Sequence, residues 1–142
     1  MLSINDTLGY MICKTARKVH RHIEAIFVPY GLTVEQWVAM KVLAENPDIS
    51  QKTLSDIMEK DQNTVKAIVT RLMQKNYVRR TINPVDRRAF FLNLTEEGSQ
   101  LVEKLSVEDE AANRSLECAL GEERAEQIKG ILRQIEDVLK IK

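Results

Sequence analysis

The 142 residues hold only two cysteines, five glycines and three prolines, and nowhere do eighteen apolar residues follow one another. Each shortage excludes a class of protein. Cys13 and Cys118 stand far apart, outside any C-x-x-C or Cys/His ligand spacing, so they read as reduced, cytosolic thiols with no metal or cofactor attached. The charges of MLSINDTLGYMICKTARK lie inside a periodic pattern rather than ahead of an apolar stretch. No membrane span and no secretion signal is read from it, and the expected compartment is the cytoplasm. The glycines form no phosphate-binding cluster, and no G-x-S-x-G elbow occurs. His20 and His22, two apart on a helix, point in different directions, unlike a metal-binding pair four apart. No catalytic residue is predicted, and an enzyme is not expected.

What remains is 44% hydrophobic and 30% charged, the composition of an ordered, helix-rich chain whose length suits a single domain over 1–142. Twenty-one basic and twenty-one acidic residues cancel, which on its face argues against a polyanionic partner. Their distribution reverses that impression. Between Lys60 and Phe90 the basic residues Lys60, Lys66, Arg71, Lys75, Arg79, Arg80, Arg87 and Arg88 face only Asp61 and Asp86, whereas from Thr95 to Glu126 ten acids oppose three bases. A field segregated in this way attracts a polyanion at one end although the sum is zero.

Periodicity supplies the elements. Leu8, Ile12, Ala16, Val19, Ile23 and Phe27 recur at helical spacing and predict a long first helix, stopped by Gly31. Thr33 and Gln36 have the spacing of a capping box, with Leu32 and Trp37 as its hydrophobic staple. The helix that follows, with Val38, Met40, Val42, Leu43 and Ala44, is predicted to be buried and to end near Asn46-Pro47. Ser50 is placed to cap a short third helix facing inward through Leu54, Ile57 and Met58. Asp61 is placed to cap a fourth, running to about Lys75 on the stripe Val65, Ile68, Val69 and Leu72. Its other face carries Gln62, Asn63, Thr64, Lys66, Ala67, Thr70, Arg71 and Gln74.

The period then changes from 3.6 to 2. Val78, Arg80 and Ile82 alternate with Arg79 and Thr81, and Phe90, Leu92 and Leu94 do likewise after a turn, which predicts a β-hairpin with the projecting tip Asn83-Pro84-Val85-Asp86-Arg87-Arg88. Thr95 starts a fifth helix on Leu101, Leu105, Ala112, Leu116 and Ala119, and Gly121 separates it from a sixth with a nearly heptad seam through Ile128, Ile131, Leu132, Ile135, Val138 and Leu139.

The expected fold is therefore mainly α (α+β): a winged helix-turn-helix over 33–94, flanked by helices at 1–30 and 96–142 whose apolar stripes suit dimerisation. A major groove about 12 Å wide admits one helix, so Gln62 and Asn63 are expected to read adenine and Lys66 guanine, with Thr64, Thr70 and Arg71 alongside. Arg79, Arg80, Arg87 and Arg88 are expected at phosphates or in the minor groove, with Asp86 orienting a neighbouring arginine. One short helix reads weakly, and two copies on a palindromic operator solve that, so a homodimer on double-stranded DNA is expected.

From Gly31 to Leu105 the chain resembles the MarR family of bacterial regulators, in GLTVEQW, in QNTVKAIVTRLMQKNYV and, most specifically, in RRTINPVDRRAFFLNLTEEG. The resemblance implies a repressor released by a small aromatic or phenolic ligand, with Arg88 as the minor-groove arginine, Asp86 as its partner and Arg87 on the backbone. One departure is Ala67, where many members carry arginine or another long polar residue, which shifts base reading toward Gln62, Asn63, Lys66 and Thr70. Two alternatives stand beside this reading. One is a winged-helix protein-interaction module, which would have no use for Asp86-Arg87-Arg88 beside a cationic helix. The other is a thiol-based redox sensor, for which YMICKTAR lacks the family's L-C-F-A-L-Y motif, so that Cys13 is expected to be buried and inert.

Overall fold

Four of the described α-helices begin where a side chain satisfies an amide of the first turn. The computed structural model describes residues 1–140. Within them α1 (Leu8–Phe27) is followed by a single 3-10 turn and by Gly31 at φ 69, a left-handed conformation that costs glycine little. α2 (Val34–Glu45) starts at the capping box, with the Gln36 amide donating to Thr33 Oγ1 at 3.1 Å and the Thr33 amide to Gln36 Oε1 at 3.2 Å. Ser50 caps α3 (Gln51–Met58) by accepting from the Thr53 amide at 3.1 Å, and Asp61 caps α4 (Gln62–Gln74) by accepting from the Thr64 amide at 2.9 Å. β1 (Val78–Ile82) and β2 (Phe90–Leu94) pair antiparallel, Val78 opposite Leu94 and Ile82 opposite Phe90. Thr95 Oγ1 accepts from the Gly98 amide at 3.0 Å in the first turn of α5 (Glu96–Leu120), and α6 (Glu122–Lys140) follows Gly121.

The chain divides into two compact units, Met1–Ser106 and the residues from Val107 onward. The first holds the core. Phe27 stacks on Trp37 with ring centroids 5.0 Å apart, and Met40, Leu43 and Leu54 close around the inner stripe of α4, where Val65, Val69 and Leu72 are wholly buried. Each such side chain contributes about 1.5–3 kcal/mol by leaving water. Val78 and Leu92 from the hairpin, and Val102 and Leu105 from the first half of α5, complete the cluster. In the second unit the Lys129 ammonium pairs with Glu117 at 2.7 Å and Glu126 at 3.2 Å, and these hydrogen bonds raise its pKa. Ala125 is buried there, while Leu116, Leu120, Ile128, Ile131, Leu132, Val138 and Leu139 are exposed on the single chain.

The helical and strand boundaries follow the sequence expectation closely, whereas several side-chain placements do not. Ile57 faces water because the buried face of α3 is centred between Leu54 and Ser55, whose hydroxyl donates to the Gln51 carbonyl at 2.9 Å and so tolerates the interior. Val38 is exposed on a helix expected to be buried all round, since only Trp37, Ala39, Met40 and Leu43 turn inward. Cys13 is exposed, not buried, because α1 buries only Phe27 at its far end within this chain. Ile82 and Phe90 alternate as a half-buried ribbon should, yet the core reaches only Val78 and Leu92 and leaves the outer rungs exposed. No described helix is long and apolar enough to cross a membrane.

Candidate nucleic-acid interface

The amphipathic pattern of α4 turns Val65, Val69 and Leu72 inward and leaves Gln62, Asn63, Thr64, Lys66, Ala67, Thr70, Arg71 and Gln74 exposed along its outer side. Two of these side chains are already engaged. Thr64 Oγ1 donates to Asp61 Oδ2 and Thr70 Oγ1 donates to the Lys66 carbonyl, both at 2.8 Å. The Thr64 amide and hydroxyl hold the Asp61 carboxyl below the usual aspartate range, so it stays ionised at the positive end of the helix dipole.

The far end of α4 is held as well. Lys75 Nζ donates to the Gly31 carbonyl at the end of the α1 turn. Asn76 adopts φ 62 as a left-handed cap, its carbonyl accepts from Thr95 Oγ1 at 2.7 Å, and its side-chain Nδ2 donates to Glu97 Oε1 at 3.2 Å. A methyl on Gly98 would stand 2.2 Å from the Tyr77 carbonyl oxygen, so α5 passes against this junction with no room to spare. Sequence reasoning singled out none of these residues for this work. Asn76, one position past the C-cap Lys75, carried a legible signal for a left-handed cap.

Three residues beyond α4 the hairpin begins, and its tip folds on itself. Asn83 Oδ1 accepts from the amides of Val85 at 2.9 Å and Asp86 at 3.2 Å. Asp86 Oδ1 then accepts from the Arg88 amide at 3.1 Å and from Arg88 Nε at 3.4 Å, the carboxylate-to-arginine contact expected of this loop. Arg87 and Arg88 are exposed. Arg79 and Arg80 do not share a surface, because neighbours on a strand point to opposite faces: Arg80 opposes Leu92 and Arg79 opposes Asn93.

Elsewhere, His20 Nε2 meets Glu35 Oε1 at 3.3 Å, joining α1 to the first turn of α2. Burial pushes the Glu35 carboxyl upward, but hydrogen bonds from its backbone amide and His20 outweigh that and leave it below the ordinary range. Phe27, Trp37 and Met40 belong to the buried core. Among the described residues no group of three His, Cys, Asp or Glu side chains could hold a metal ion.

Residues 32–90 match the model of the MarR family. The HTH-type transcriptional regulator BilQ of Clostridioides difficile (strain CD3) is 28% identical over 97 residues, 68% of this chain and 66% of that protein, so the chain spans slightly under two thirds of BilQ. The homoprotocatechuate degradative operon repressor of Escherichia coli is 24% identical over 132 residues, covering 92% of this chain and 88% of the repressor. Among solved structures, Bordetella bronchiseptica BpsR superposes with a TM-score of 0.88 at 22% identity, over 96% of this chain and 98% of that one. The repressor CouR bound to a 23-mer DNA duplex superposes with a TM-score of 0.87 at 22% identity, over 96% and 99%. The chain is thus similar to the MarR family through residues 32–90 and through these relatives, and it shares its fold with BpsR and CouR along nearly its whole length.

Proposed function

We propose that this chain is a sequence-specific, double-stranded DNA-binding transcriptional regulator that acts in the cytoplasm as a homodimer, a repressor released by a small aromatic or phenolic anion. On this reading it binds and lets go of DNA and performs no chemical step. The observation that carries it is the adjacency of two features: an exposed polar face on α4, and a wing whose tip presents Arg87 and Arg88 with Asp86 already holding Arg88. A helix of that face fits a major groove, and an arginine braced before binding loses less freedom in a narrow minor groove.

Family likeness supports the same roles for the residues singled out above: Gln62, Asn63, Thr64, Lys66, Thr70 and Arg71 at base edges, and Arg79, Arg80, Asp86, Arg87 and Arg88 at the backbone and minor groove. The flanking helices, over 1–30 and 96–142, would pair two subunits and set the lobes over 33–94 on a palindromic operator. Exposed apolar residues on α1, on the latter part of α5 and on α6 support this, since such stripes need cover. CouR is a DNA-bound repressor, and the DNA binding of BpsR is regulated by 6-hydroxynicotinic acid. An open cavity of about 530 Å³ lined by Ala16, Arg17, His20 and Arg21 offers cations to an aromatic acid.

Selection of bound duplexes from a randomised pool, followed by a screen for compounds that release them, tests the proposal. Arg88→Ala should weaken binding to the A/T-rich palindromic site by roughly tenfold or more and leave the dimer intact. Lys66→Ala should change sequence preference more than non-specific binding, as read from a repeat of the selection. A wild-type chain with no attraction for duplexes in dilute buffer would overturn the reading.

A further inference from the structure

The wing is a ribbon of two strands, and two strands alone are only marginally ordered in water. At its root it is tied to the loop between α2 and α3. The Leu92 amide donates to the Ile49 carbonyl at 2.7 Å, a one-residue bridge on the open edge of β2. At the next residue Asn93 Oδ1 accepts from the Asp48 amide at 3.0 Å, and Nδ2 donates to Asp48 Oδ1 at 2.8 Å and to Thr81 Oγ1 on β1 at 3.1 Å. Asp48 takes φ 58 to meet it, a conformation that disfavours side chains and persists only where neighbours hold it. The clasp joins residues 45 apart in the chain, within one compact unit.

We infer that Asn93 is a positioning residue for the wing, fixing with Asp48 the direction in which the hairpin presents Arg87 and Arg88. The inference rests on the DNA-binding reading above. Without the clasp the hairpin is tied only at its root, by its links to α4 and α5 and by the single Leu92–Ile49 bridge, and the ribbon beyond can twist about these points. A further anchor removes that freedom, and groups held in place before binding lose less on binding. An amide is the side chain this point requires, because one oxygen must accept from an N–H while one NH2 donates to two oxygens. Aspartate at 93 would accept from the Asp48 amide but set a second carboxylate against the Asp48 carboxylate, which repels it.

That chemistry supplies the test. The full chain, wild type and variants, is titrated by fluorescence anisotropy against its selected palindrome with A/T-rich flanks and against the same palindrome with G/C flanks. Asn93→Asp should weaken binding to the A/T-flanked duplex by about tenfold and abolish most of the preference between flanks, a ratio insensitive to the fraction of folded protein. Asp48→Asn combined with Asn93→Asp restores an amide facing a carboxylate and should return both quantities to within about threefold of wild type. In the Arg88→Ala background, Asn93→Asp should cost about threefold rather than tenfold, since one of the two arginines it serves is gone. Wild-type affinity and flank preference in Asn93→Asp would overturn the inference and leave the DNA-binding reading standing. So would failure of the exchanged pair to recover, or losses that simply multiply in the Arg88→Ala background. A wild-type chain indifferent to duplex DNA would overturn both.

Discussion

A methyl group at position 98 has nowhere to go, because the atom it would meet 2.2 Å away is the Tyr77 backbone oxygen and cannot swing aside. Gly98→Ala is therefore expected to destabilise the chain by about 1–3 kcal/mol, read from the urea midpoint at constant m-value. Asp61 makes a second prediction at this scale. Its folded pKa lies below its unfolded one, chiefly through the Thr64 amide, so the stability it contributes is present above the ordinary aspartate pKa and is lost as pH falls through the folded value. The stability difference between wild type and Asp61→Ala should accordingly vanish in acid, as measured by thermal melts from pH 7 down to about pH 2. The caps at Thr33, Ser50, Asp61 and Thr95 were legible because donor and acceptor lie three residues apart. Asn93 with Asp48, and Lys75 with Gly31, were not, because each pair is brought together from some forty-five residues apart. Serine in the α3 interior was equally illegible, since only the structure shows its hydroxyl satisfied by Gln51.

Among the elements, α4 and the hairpin contrast. α4 is packed by three wholly buried residues, and Leu72→Ala should cost about 2–5 kcal/mol by denaturant unfolding, because removed methyl groups leave a cavity as well as lost burial. The hairpin touches the core only at its root, so amide hydrogen exchange should be slowest at the Leu92 amide, which donates to the Ile49 carbonyl, and faster in the turn at 85–88, whose amide hydrogen bonds are to exposed side chains of the turn itself. Period-2 alternation located both strands to the residue, yet it says only which side chains share a face and not how far along the ribbon anything covers that face. Ile82 and Phe90 were for that reason read like Val78 and Leu92, and lie in solvent instead. Helical stripes mislead in a different way: a stripe of 3.6 period marks Ile57 as inward when it lies just off the buried sector.

At the scale of the molecule, the exposed apolar residues of α1, the latter part of α5 and α6 were legible as faces needing cover, and a second subunit is the cover proposed. Sedimentation should then give twice the chain mass, and the melting temperature should rise with protein concentration, as it does for any chain whose folding is linked to association. The segregation of charge carries its own prediction. Although net charge is zero, log K for operator DNA should fall linearly with log salt at a slope of roughly −0.9 for each phosphate neutralised, and Arg87→Ala should reduce that slope by about one in each subunit. Organisation into the two units was not legible, since α5 runs unbroken from one into the other with no glycine or proline at the boundary.

Thr64 and Thr70 spend their hydroxyl hydrogens on Asp61 and on the Lys66 carbonyl, which leaves each with a methyl and an oxygen lone pair to show an incoming base pair. Thymine, with its own methyl, and the amino groups of adenine and cytosine complement that pairing, while guanine, offering acceptors at O6 and N7, finds no hydrogen there. With α4 in a major groove, a guanine whose O6 and N7 the helix reads directly would then fall beneath Lys66, Arg71 or an amide side chain, and the spacing of those residues along the helix becomes a rule for where such a G can stand.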